Sequence, residues 1–209
     1  MSVAQNPITG QMHKSMANFS TYFRDGKNIV RSKAFNRKDA NSDLQKIQRA
    51  CFKCVVMAYQ QVSSIAVVEF PVRHAGTSVY NAFISANLPK AVDTTDVFPK
   101  INYHRLMVAK GTLPSVSVTD VAEDKTGITI KYHSNVYFSK ANETDWIVAL
   151  AMTKDGTAAT VRQQRGSKVN GILSIALPHA DVSDIEFVYL FTLSANGKMA
   201  SDSQFVEVV

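Results

Sequence analysis

Two cysteines, Cys51 and Cys54, are the whole thiol complement of the 209-residue chain. A disulfide scaffold would carry more pairs at wider spacing, so a reducing compartment is the simpler reading. Zinc and thioredoxin-like motifs share this two-residue gap. Zinc, however, needs two further ligands that no second cysteine-rich segment supplies, and a redox motif needs a strand leading into a helix N-terminus. Both cysteines are read as thiols on a buried helical stripe. Histidine is also sparse: His13, His74, His104, His133 and His179 are scattered, with no HExxH pairing. The acids Asp120, Glu123 and Asp124 have the loop spacing of solvated surface groups. No nucleophile, base and acid fall together, so no catalytic residue, metal ligand or cofactor is assigned.

Long apolar runs are missing too. None reaches the roughly 18 to 20 residues of a membrane span. The stretch Met1-Ser-Val-Ala-Gln-Asn-Pro-Ile-Thr-Gly10 has neither a positive start nor an apolar core, so no secretory signal is expected. Neither a membrane nor a small-molecule substrate is an expected partner.

What is present is an uneven charge. Residues 1 to 54 hold 10 Lys or Arg against 3 Asp, while the remainder holds 13 against 14, so the net charge of +6 is carried by the first quarter of the chain. Such a patch can neutralise phosphates, face an acidic protein or keep the surface solvated. Arg24, Lys27, Arg31, Lys33, Arg37 and Lys38 form its densest part.

The same region contains a hairpin. Asp25-Gly26 lies between two runs of strand formers, and Asp-Gly is favoured in a two-residue turn because both positions need positive φ. That turn pairs Arg24 with Lys27, Phe23 with Asn28, Tyr22 with Ile29 and Thr21 with Val30. Phe19, Thr21, Phe23 and Val30 then share one face, and Tyr22 and Ile29 the other. An isolated hairpin is marginal in water, so Phe19, Tyr22, Phe23, Ile29 and Val30 are candidate partner-binding residues, docking on this chain or on another subunit.

Residues 1–18 show no clear period and read as an extended or flexible arm, ordered within an assembly. After the hairpin, Asn41-Ser42-Asp43 offers capping side chains. Leu44, Ile47, Cys51, Val55, Ala58 and Val62 then recur at helical spacing, with Lys46, Arg49 and Lys53 opposite. Thr77 or Ser78 caps a shorter helix with Val79, Tyr80, Phe83 and Ile84 on one side, ending near Leu88-Pro89. From Tyr103 the period falls to two. Strands are predicted over 106–109, 115–121, 127–133, 146–153, 158–163, 171–177, 186–194 and 204–208. About seven short strands over roughly 100 residues argue for an antiparallel sandwich, with Trp146 as a large inward residue of a central strand.

The expected fold class is α+β: an N-terminal β-hairpin and two-helix region, followed by an immunoglobulin/fibronectin-like β-sandwich. The expected domains are an arm over 1–18, the hairpin and helices over 19–100, and the sandwich over 101–209. Residues 188–208 resemble the closing strands of a fibronectin type III module. Gly26-Lys-Asn-Ile-Val-Arg-Ser-Lys33, Gln45-Lys-Ile-Gln-Arg49 with Phe52, Tyr80-Asn-Ala-Phe83, Gly111-Thr-Leu-Pro114, Ala195-Asn-Gly-Lys198 and Ser203-Gln-Phe-Val206 resemble an uncharacterised bacterial family known only as a domain of unknown function. That resemblance implies the hairpin, helix and sandwich layout, no catalytic residues, and an association with bacterial and phage genomes.

The expected function is a non-enzymatic structural subunit of a larger particle, with a phage virion component (ring, tail or capsid-associated) as the specific form. Its partners would be further copies of itself or other subunits, and its location the virion or the bacterial cytoplasm. The alternative is low-specificity nucleic-acid binding by the basic segment. A glycan-binding module rests on the sandwich class alone.

Overall fold

The computed structural model describes residues 2–4, 14–16, 18–33, 39–65, 70–71, 73, 76–95, 98–124, 127–154, 158–176 and 185–207. The chain divides into two compact units, Met1–Ser42 and Asp43–Val209.

The first unit is an antiparallel sheet of β1 (Ser2–Ala4), β2 (Lys14–Met16), β3 (Phe19–Arg24) and β4 (Lys27–Ser32), in the order β1-β4-β3-β2. Its centre is the hairpin of β3 and β4. Asp25 at φ 51° and Gly26 at φ 75° both take the left-handed conformation that a tight turn of this twist requires. Pairing runs from Arg24↔Lys27 through Tyr22↔Ile29 and Thr21↔Val30 to Phe19↔Ser32, in the register read from the turn. The two flanking strands come from the stretch without visible period: β1 pairs with β4 and β2 with β3. The extra strands that a lone hairpin needs are thus supplied from within residues 1–42.

The second unit begins with α1 (Asp43–Ile65) and α2 (Val79–Asn87). Cys51, Val55, Ala58 and Val62 of the α1 stripe are buried, but Leu44 and Ile47 are exposed, so only the later turns have an apolar partner here. The Ser78 hydroxyl accepts the Asn81 N–H at 3.1 Å, settling which of two candidates caps α2. Tyr59 of α1 meets Tyr80 and Phe83 of α2 edge to face, so the helices pack as a pair. The Cys54 thiol donates to the Pro99 carbonyl at 3.0 Å, and both cysteines are free.

A short ribbon follows, β5 (Val92–Asp93) with β6 (Lys100–Ile101), and then a single 3₁₀ turn at Tyr103–Arg105. The segment 106–109, predicted as a strand, is not one. Leu106, Val108 and Ala109 are buried, but the backbone there is paired mainly with side chains. Met107 N–H donates to Asn87 Oδ1 and Val108 N–H to Ser203 Oγ, while Asn87 Nδ2 donates to the Met107 carbonyl. These bonds meet the requirement that buried amides be paired without a ladder.

The sandwich comprises β7 (Ser117–Asp124), β8 (Gly127–His133), β9 (Trp146–Thr153), β10 (Ala158–Gln164), β11 (Asn170–Ala176), β12 (Ile185–Leu193) and β13 (Gln204–Val206). One sheet is ordered β11-β8-β7 and the other β10-β9-β12-β13, all pairs antiparallel. Lettered A to G, the fourth strand sits with C, F and G, whereas an immunoglobulin constant-type domain places it with A, B and E. Ile128, Ile130, Tyr132, Leu173 and Ile175 of the three-stranded sheet meet Ile147, Ala149, Ala151, Val188 and Leu190 of the other.

The four-stranded sheet is buried on both faces. Val148, Leu150, Met152, Phe187, Tyr189 and Phe191 point away from the first core and form a second one with Val55, Ala58, Val62, Phe83 and Ile84 of the helices. The unit is therefore three-layered, helices on sheet on sheet. Trp146 belongs to the helix-side core, not to the space between the sheets. Alternation explains this correction: Ile147, Ala149 and Ala151 occupy the inter-sheet positions, so their even-numbered neighbours face the helices.

Candidate interaction surface

The register of the N-terminal sheet sorts the predicted interaction residues by face. Directly paired residues share a face, so Tyr22 and Ile29 lie together with Arg24 and Lys27 at one end and Ser20 with Arg31 at the other. The Lys33 N–H donates to the Asn18 carbonyl at 2.8 Å, extending the ladder and placing Lys33 on the Arg31 side by alternation. Three of the six predicted cations thus border one tyrosine–isoleucine pair, and Lys33 lies one step beyond Arg31. Lys27 and Arg31 are exposed, while Tyr22 and Ile29 are half-buried. Arg24 Nε lies 3.4 Å from Asp25 Oδ2, a contact with more than half of each side chain exposed, worth little by itself.

Phe19, Phe23 and Val30 lie on the opposite face with Thr21 and Asn28. Thr21 and Asn28 are buried there, and Phe19 is 50% exposed. The five predicted partner-binding residues are therefore split, with Tyr22 and Ile29 grouped with the cations and the other three not. Arg37 and Lys38 lie outside the described residues. Pairing of the cations with Tyr22 and Ile29 follows from the Asp25-Gly26 register, yet listing charges along the chain conceals it.

The second unit presents polar and concave features of a different kind. Asp120 of β7 pairs across the ladder with Lys131 of β8, Oδ2 to Nζ 2.9 Å, and that bond pulls the carboxyl below its usual range. Burial pushes the Tyr189 hydroxyl far above the ordinary phenol range; it donates to the Tyr103 carbonyl at 2.8 Å. Burial likewise raises Tyr103 and Tyr132. These shifts come from packing and cross-strand pairing and mark no proton-transfer pair. A cavity of about 530 Å³ is lined by Phe70, Arg73, Ala82, Ala86, Lys110 and Asp202, among others. Arg73 Nε and Nη1 are engaged by the carbonyls of Thr77 and Phe70, and Asp202 Oδ1 accepts the Gly111 N–H. The cavity lining combines the charged Arg73, Lys110 and Asp202 with the hydroxyls of Thr77, Ser85 and Thr112. Among the described residues no group of three or more His, Cys, Asp or Glu could hold a metal ion, and no helix is long and apolar enough to cross a membrane.

Sequence reasoning passed over Tyr137 and Phe138, which are 82% and 61% exposed in the connection from β8 to β9. Asn135 at φ 53° and Lys140 at φ 76° flank them. Asn135 Nδ2 holds the near end by bonds to Ser115 O and Ser117 Oγ. No periodicity signals an aromatic pair turned outward.

Among comparisons with known proteins, no curated protein and no solved structure matches the chain. A family model does, along residues 11–207, taking in the hairpin, both helices and all seven described sandwich strands. The chain accordingly belongs to the family of unknown function designated DUF6266.

Proposed function

We propose that this protein is a non-enzymatic subunit of a larger assembly, specifically a bacteriophage virion component of the ring, tail or capsid-associated kind, acting in the virion or the bacterial cytoplasm. The observation that carries the reading is the N-terminal unit: a small cysteine-free sheet with apolar side chains on both faces. A unit of about 40 residues seldom buries enough apolar surface to stand without disulfide, metal or partner, and a neighbouring subunit would supply that cover. Light scattering coupled to size-exclusion chromatography of the full chain is expected to show multimers whose population rises with concentration. Ile29→Asp, which sets a charge in the apolar centre of the basic face, is expected to shift that equilibrium toward monomer by tenfold or more, on the order of 1.4 kcal/mol. A wild-type chain that stays monomeric at high concentration would remove the proposal.

A second reading, low-specificity nucleic-acid binding, is favoured by one observation: Arg24, Lys27 and Arg31 neighbour the Tyr22–Ile29 pair on one sheet face, with Lys33 a step beyond. Cations for phosphates beside an aromatic ring for stacking are what single-strand binding uses. Fluorescence anisotropy with a labelled single-stranded oligonucleotide is expected to show an affinity that falls as salt rises. Lys27→Ser/Arg31→Ser should reduce the log–log salt slope by about 1.4. An unchanged slope would eliminate this reading and leave the assembly proposal intact.

A further inference from the structure

We propose that the strip around β13 receives a second copy of this chain, through the basic face of that copy's N-terminal sheet. The inference rests on the assembly reading and names the contact that would build it. β13 has only three residues and forms one edge of the four-stranded sheet, while β7 forms an edge of the other sheet. Sheet edges present unpaired backbone donors and acceptors, which proteins either cover or use. A groove of about 620 Å³ runs between them, with Ser117, Val118 and Val121 on one wall and Gln204 to Glu207 on the other. A second hollow of about 450 Å³ lies on the far side of the same strand, bounded by His104, Ile185 and Glu186, and shares Phe205, Val206 and Glu207 with the first. Phe205, partly buried against the helix-side core, is the large apolar side chain that both hollows share, while Val206 beside it is buried in the inter-sheet core.

The chemistry of the strip selects its partner. Among the described residues no Lys or Arg lines either hollow, and the acidic side chains there are Glu186 and Glu207. His104 Nδ1 is 3.9 Å from Glu207 Oε1 across an exposed contact. Residues 1–42 carry 7 Lys or Arg against 2 Asp, a net +5, whereas residues 43–209 carry 16 against 15. The face on which Tyr22 and Ile29 lie between Arg24 with Lys27 and Arg31 matches Phe205 beside two carboxylates in both polarity and charge. Because the contact joins unlike patches, a pair of copies still has one basic face and one strip free for the next, and the product is a ring or a filament.

Two exchangeable variants test this in the full-length chain. Lys27→Ser/Arg31→Ser removes cations from the sheet face, and Glu186→Gln/Glu207→Gln removes carboxylates from the strip while keeping side-chain size. Each variant should keep the wild-type circular dichroism and melting curve, yet associate at least about tenfold more weakly in light scattering. Mixed in equal amounts, they should form dimers that do not grow, since one intact basic face meets one intact strip and the other two patches are disabled. Variants that multimerise like wild type, or a mixture that stays monomeric, would overturn this contact while leaving assembly standing. A monomeric wild type would remove both the contact and the reading beneath it.

Discussion

Arg165→Met is expected to destabilise the protein by about 2 kcal/mol, seen as a lower denaturant midpoint in chemical unfolding. Arg165 is 3% exposed at the end of β10. One of its guanidinium nitrogens donates to the Pro114 carbonyl, and its backbone N–H donates to the Asp145 carbonyl at 2.7 Å. Burial pulls its pKa down from the ordinary guanidinium value, while the Asp145 carboxylate and the Tyr132 phenol pull it up. Asp145 is itself buried, with Oδ2 accepting the Asn142 N–H at 2.8 Å. Removing the cation takes away the charged donor to Pro114, a bond commonly worth about 1.5–3 kcal/mol, together with a charge that Asp145 feels at longer range. The lower end applies for two reasons. Arg165 Nε and Nη1 are buried without a hydrogen-bond partner, so their loss brings relief, and Thr192 Oγ1 still donates to Pro114. Arg165→Met/Asp145→Asn should recover a small part of the loss. A single variant as stable as wild type would refute the assignment of Arg165 as the charged donor to Pro114.

Asn87→Ala is expected to cost about 2–4 kcal/mol, measured the same way. Asn87 closes α2 with no exposed surface and acts as a clamp between the helix and the irregular segment after the 3₁₀ turn. Its Nδ2 donates to the carbonyls of Phe83 at 3.1 Å and Met107 at 2.9 Å, while its Oδ1 accepts the Met107 N–H at 2.7 Å. Alanine removes all three bonds and leaves both polar backbone groups of Met107 without this partner. Asn87→Asp should fall between wild type and alanine, because a carboxylate keeps the acceptor for the Met107 N–H but loses both donor bonds. An aspartate variant less stable than the alanine variant would show that burying the charge outweighs the remaining bond.

This clamp also explains a sequence reading that fails. Leu106-Met-Val-Ala109 has the composition of a strand, yet the Met107 and Val108 backbone partners are side chains 20 and 95 residues away, Asn87 and Ser203. Local composition reports burial; it does not report which group completes a buried amide. The same limit applies to Trp146. Its neighbours Ile147 to Met152 form a continuous apolar run, so alternation cannot say which face looks at the other sheet once both are covered. β1 and β2 were invisible for another reason, since three residues are too few to show a period of two.

The hairpin lies at the other extreme. Asp25-Gly26 admits one turn geometry and one register, so every cross-strand neighbour from Phe19 to Ser32 was written in local chemistry. Helical spacing in α1 and α2, and turn residues between short β-rich runs, likewise identify an α+β chain with a sandwich at its C-terminal end, because backbone sterics and side-chain periodicity act over a few residues. Distant pairing decided the rest. Burial of the β9–β12 sheet on both faces, the switch of the fourth strand, and the gathering of Glu186, Phe205 and Glu207 at one sheet edge depend on which apolar surfaces meet across the fold. Hydrophobic burial has no direction of its own, so a single strand cannot encode its outcome.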